Sequence, residues 1–114
     1  MIYIIRNQKV MLDFELSKIY GYTTKAFNQQ VKNNISKFPE RYRFQLTKEE
    51  TIKLQRSKNL TAELWAEGKG GRSSLPYAFT EQGIYMLMTV LKGELATKQS
   101  IALIDAFKAM KYYK

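Results

Sequence analysis

The 114-residue sequence predicts a single α+β domain, small strands or a hairpin plus about five helices, with a helix-turn-helix at about residues 13–35. Three features argue for that class. Short apolar runs rich in β-branched residues, such as Ile2 to Ile5 and Val10 to Leu12, alternate with longer stretches whose apolar residues recur every three or four positions. Helix-capping residues stand at the starts of those longer stretches. The apolar share of 45% and the aromatic share of 13% supply one modest core, and the length is too small for two.

The first two apolar runs form a hairpin across Arg6, Asn7, Gln8 and Lys9. Asp13 is placed to cap a first helix through about Tyr20, with Phe14 or Leu16, Ile19 and Tyr20 as its buried stripe and Gly21 as a left-handed stop. Thr23 caps a second helix from about Thr24 to Ile35, and Pro39 marks the next turn because its ring disfavours helix in the residue before it. Arg43 to Leu46 alternates polar and apolar, as a short strand does.

Thr47-Lys48-Glu49-Glu50 is a capping box, so a third helix runs from Lys48 towards Lys58, with Ile52 and Leu54 as its apolar residues. Trp65 reads as a core anchor, and Glu67 to Ser74, rich in glycine, as a loop. Pro76 to Phe79 is a strand. Thr80 then caps a fourth helix, Phe79 and Ile84 occupy its staple positions, and Gly93 ends it. A last helix from about Leu95 to Lys111 carries Ile101, Ile104, Phe107 and Met110 as a stripe that needs a core or a partner. The Lys111-Tyr112-Tyr113-Lys114 tail keeps helical register, which suggests the N-terminal part of a longer protein.

The absence of cysteine and histidine removes thiol nucleophiles, imidazole bases and the usual zinc ligands together. Glu81, Glu94 and Asp105 have no paired-carboxylate spacing, so no enzyme, metal or cofactor is expected. No apolar run approaches the ~18 residues of a membrane span and no leader pattern is present, which predicts a cytoplasmic protein without membrane attachment. Nineteen Lys and Arg against ten Asp and Glu give +9, a balance that favours a polyanionic partner through counterion release.

Leu12 to Asn34 is the most informative stretch. At about 100° per residue, Phe27 and Val31 face one way. Lys25, Gln29, Lys32 and Asn33 gather on the opposite face with Asn28 at its edge. Amide and ammonium groups read base edges, so these five are the candidate base-reading residues for double-stranded DNA. Thr24, Lys37, Arg41, Arg43 and Arg72 are the candidate phosphate contacts, which fix register without reading sequence. Helix pairs with polar outer faces are common, but no acidic residue interrupts the chain between Glu15 and Glu40, where a generic solvated face mixes signs. The Gly68 to Ser74 loop reads as an exposed connection or as a basic wing on DNA; no Lys-Ser or Lys-Thr pair closes it as a P-loop requires.

Several blocks resemble one known family. They are Val10-Met11-Leu12-Asp13-Phe14 with Leu16 and Tyr20-Gly21, Thr24-Lys25 with Asn28-Gln29-Gln30-Val31-Lys32-Asn33-Asn34, Phe38-Pro39-Glu40 with Phe44-Gln45-Leu46-Thr47, and Gly70-Gly71-Arg72 leading to Leu75-Pro76-Tyr77-Ala78-Phe79-Thr80-Glu81-Gln82-Gly83. In this order they resemble the N-terminal domain of phage and prophage antirepressor-type proteins, the open-reading-frame-six group related to KilA-N and Bro-N domains. One position departs from the pattern, with Asn33 where a basic residue often precedes Asn34. The resemblance implies transcription regulation by DNA binding. The alternative is a protein-interaction module that binds a repressor protein or mediates oligomerisation. A homodimer suits either reading, since paired half-sites are the usual remedy for the weak hold of one helix in one groove.

Overall fold

The computed structural model describes residues 1–58 and 75–110. The expectations for Trp65, for the 67–74 loop with Arg72, and for the 111–114 tail lie outside the described residues. The described chain runs β1 (Tyr3–Ile5), β2 (Gln8–Leu12), α1 (Asp13–Tyr20), α2 (Thr24–Asn33), a 3-10 turn (Ile35–Lys37) and β3 (Arg43–Gln45). It continues with α3 (Lys48–Lys58), β4 (Tyr77–Phe79), α4 (Glu81–Val90) and α5 (Glu94–Ala109). Among the described residues, five α-helices and one antiparallel sheet of order β1-β2-β4-β3 make an α+β fold.

Strand alternation divides the core in two, because neighbouring residues of a strand point to opposite faces. Val10 and Leu12 of β2 and Ala78 of β4 join Phe14, Phe44, Leu46 and Leu54 in one cluster. Met11, between Val10 and Leu12, and Phe79, next to Ala78, join the other cluster with Leu16, Tyr20, Phe27, Val31, Ile84, Leu87 and Phe107. Pairing of Met11 with Phe79 and of Leu12 with Ala78 keeps the two faces in step.

The capping expectations are met where the cap is local. The Thr47 N–H donates to Glu50 Oε1 at 2.8 Å and the Glu50 N–H to Thr47 Oγ1 at 3.0 Å, closing the box at the start of α3. Glu50 also takes a paired contact from Arg6 Nε and Nη2 at 2.8 and 3.0 Å, which ties the hairpin tip to α3. Thr80 Oγ1 caps α4, accepting from the Gly83 N–H at 3.4 Å.

Four expectations are corrected. The hairpin turn is Arg6-Asn7 alone, both at positive φ (55° and 62°), a two-residue turn whose twist suits the strands, so Gln8 and Lys9 pair within the ladder. Asp13 is not the cap of α1; it is the first helical residue and is buried, and Leu12 ahead of it makes no side-chain cap bond. Gly93 does not end α4, which stops at Val90 with Leu91 as its cap; at φ 110° Gly93 precedes α5. The buried stripe of α5 is Ala96, Ser100, Leu103, Ile104 and Phe107, and Ile101 faces solvent. A hydrogen bond of 2.6 Å between the Tyr20 and Ser100 hydroxyls fits that rotation, since it lets a small polar residue sit in the core.

Gly21 ends α1 at φ 80°, with its N–H on the Lys18 carbonyl at 3.1 Å and the Tyr22 N–H on the Ser17 carbonyl at 2.8 Å. An added Cβ there meets nothing within 4 Å, so Gly21→Ala is opposed by the left-handed backbone alone. A loss of about 1 kcal/mol is expected, roughly 5 °C in Tm, with Gly21→Asn falling between alanine and wild type. Coincident melting curves for all three would contradict this.

Candidate nucleic-acid interface

Gly21, Tyr22 and Thr23 form the turn between α1 and α2. Thr23 Oγ1 accepts from the Ala26 N–H at 3.1 Å and so starts α2 at once. The inner face of α2 is fastened by aromatic packing. Phe27, wholly buried, lies 6.1 Å from Tyr20, 6.4 Å from Tyr22 and 5.6 Å from Phe79 between ring centroids. Val31 is equally buried one turn on. Burial of a side chain such as Phe27 stabilises by roughly 1.5–3 kcal/mol, so two of them fix the angle of α2 to the core.

Polar contacts complete the helix-to-helix joint. Ser17 Oγ and Thr24 Oγ1 lie 3.1 Å apart, and Asn28 Nδ2 donates to Asp13 Oδ2 at 2.9 Å. Asn28 Oδ1 is also buried, and no hydrogen-bond partner for it stands among the described residues. The Asn28 amide therefore braces α2 against α1 from the edge of the face on which the sequence places it. Burial pushes the Asp13 carboxyl up to about 6, against the opposing pull of Asn28, the Tyr77 and Phe14 main chain and the Arg43 charge.

The outer face of α2 is open. Lys25, Gln29, Lys32 and Asn33 are exposed, with Gln29 Nε2 donating to Asn33 Oδ1 at 2.9 Å. Lys25, Asn28, Gln29 and Lys32 share a shallow cleft with Ile35, Arg43 and Tyr77. Arg43 is half-buried, its guanidinium carbon 3.7 Å from the Tyr77 ring centroid, and burial lowers its pKa from the ordinary arginine value. Lys37, on the 3-10 turn, and Arg41, 5.2 Å over the Tyr42 ring, are exposed and do not line that cleft. Thr24 is half-buried with its hydroxyl on Ser17, and Arg72 falls outside the described residues.

Sequence reasoning missed Asp13 and Tyr77 as parts of this site. Asp13 carried a signal only as a helix cap, and Tyr77 carried none, because its contact with Arg43 exists only through the β3–β4 pairing of Arg43 with Phe79 and of Gln45 with Tyr77. Among the described residues no group of acidic side chains is placed to hold a metal ion, and no helix is long and apolar enough to cross a membrane.

Fold and face together define a small α+β domain in which a tightly braced helix presents an acid-free, basic and amide-rich surface. The family model of the ORF6N domain matches residues 1–90, and the chain belongs to that family. This is the antirepressor-type group that the sequence blocks resemble, and it is a family of phage-type regulatory domains. No curated protein and no solved structure matches the chain significantly.

Proposed function

We propose that this domain binds double-stranded DNA sequence-specifically, as part of a phage or prophage regulator, through a helix-turn-helix made of α1, the Gly21-Tyr22-Thr23 turn and α2. The division of α2 carries the reading: Phe27 and Val31 are wholly buried, while Lys25, Gln29, Lys32 and Asn33 are exposed on the far side. No acidic residue occurs from Leu16 through Pro39 to repel a phosphate. A helix of about 10–12 Å diameter enters the roughly 12 Å major groove.

In this reading Lys25 and Lys32 donate to guanine, and Gln29 and Asn33 present amides to adenine once their mutual hydrogen bond opens. Asn28 sets the helix angle through Asp13. Lys37, Arg41 and Arg43, with Arg72 by sequence alone, contact phosphates, and Thr24 contributes its main-chain N–H at the helix start. The role requires no catalytic site and no cofactor, and it places the protein in the cytoplasm.

The test is a fluorescence-anisotropy titration of labelled duplex with wild type and with Lys25, Gln29 and Lys32 all changed to Ala. Wild type should show a steep salt slope. The triple variant, with unchanged circular dichroism, should lose affinity about tenfold or more at moderate salt while keeping most of the salt slope, which the phosphate contacts of Lys37, Arg41 and Arg43 supply. Absence of binding by wild type at low salt would sink the proposal and move the search to a repressor protein.

A further inference from the structure

We propose that the exposed face of α5 is an interface for a second copy of this chain, packed antiparallel about a twofold axis between Ile101 and Ala102. The buried side of α5 turns Leu95, Lys98, Ile101, Ala102 and Asp105 outward. Leu95 and Ile101 are 55% and 51% exposed and flank Lys98 on the outward side of α5, where each gains by being covered.

The charges on that face identify the occupant. Lys98 and Asp105 lie about 10 Å apart along the helix, too far to pair with each other. Neither has an ion-pair partner among the described residues. Reflection about the point between 101 and 102 exchanges positions 98 and 105, so antiparallel packing sets Lys98 of each copy against Asp105 of the other. The same register sets Ile101 level with the small Ala102 of the other copy, while Lys108 stays on Glu81 of its own chain at 3.0 Å. Exposed positions meet only exposed positions, since 94 meets 109 and 97 meets 106. An unrelated partner would have to supply a matching acid and base at the same spacing, whereas a second copy supplies them by symmetry.

The 16 residues of α5 span about 24 Å. One helix pair of that length falls below the roughly 1,200 Å² of a stable interface, so association is expected to be weak and to require high protein concentration. The inference stands apart from the DNA reading because its test contains no DNA.

That test is sedimentation equilibrium at low ionic strength up to millimolar protein. Wild type should self-associate. Lys98→Asp sets acid against acid twice and should weaken association about tenfold or more, and Asp105→Lys should do the same with base against base. The two single variants mixed in equal amounts should pair with each other, and Lys98→Asp with Asp105→Lys in one chain should restore wild-type affinity within about threefold. The proposal is overturned if wild type stays monomeric throughout, if either single variant associates like wild type, or if the mixture does not pair.

Discussion

Gly83→Ala should destabilise this domain by about 3 kcal/mol, which for a chain of this size is a fall of roughly 12–15 °C in Tm. Gly83 lies in the first turn of α4, where the chain passes the β3 approach so closely that a Cβ would sit 2.3 Å from the Tyr42 carbonyl oxygen and 3.4 Å from Phe79 Cβ. The obstacle is backbone and cannot swing aside. It is also held in place, accepting from the Thr80 N–H at 3.0 Å and from Thr80 Oγ1 at 3.2 Å. Helix propensity alone predicts the opposite sign, since alanine is about 1 kcal/mol better than glycine inside a helix. Denaturant unfolding of the variant therefore separates the two effects. A variant as stable as wild type, or more so, would show that α4 and Tyr42 can part without cost. The Thr80-Glu81-Gln82-Gly83 block thus has a packing reason: threonine caps the helix and grips Tyr42, and glycine leaves room for the grip.

Features governed by nearest neighbours were legible in the sequence. Thr23, Thr80 and the Thr47/Glu50 box cap helices through partners three residues away, and Gly21 takes its left-handed turn without help from elsewhere. The inward side of α2 was legible too, because a helical period fixes which residues share the face of Phe27 and Val31. What was not legible depends on distant partners. Asp13 looked like a cap because it precedes a helix, yet Asn28, fifteen residues on, claims its carboxylate. Ile101 looked like core because it continues an apolar spacing, but α5 is rotated so that Ser100 meets Tyr20, eighty residues away. Arg43 gave no hint that it would lie on Tyr77 at the edge of the α2 cleft, since that neighbour arrives only with β4.

Asp13 leads to the second large effect, a stability that rises as pH falls from neutral. Burial is the main cause of its raised pKa of about 6, against 3.8 for the unfolded chain, so the folded state holds the proton more tightly. The stabilisation from that proton is complete below the unfolded value and is lost as pH rises through about 6. A shift of about 2 units corresponds to an upper figure of about 3 kcal/mol between the two limits. Glu50 works in the opposite sense. Its hydrogen bond with Arg6 holds its pKa below the ordinary 4.5, so its contribution is intact above that value and fails only in stronger acid. The window from about pH 4.5 to 7 therefore reports Asp13. Denaturant unfolding of wild type and Asp13→Asn across that window should give curves that diverge, wild type gaining about 2 kcal/mol relative to the variant as pH falls. Parallel curves would mean that Asp13 does not titrate there. If the curves diverge, the joint between α1 and α2 holds a carboxylate at an energetic cost at neutral pH, and what that charge secures is the Asn28 brace that sets the angle of α2.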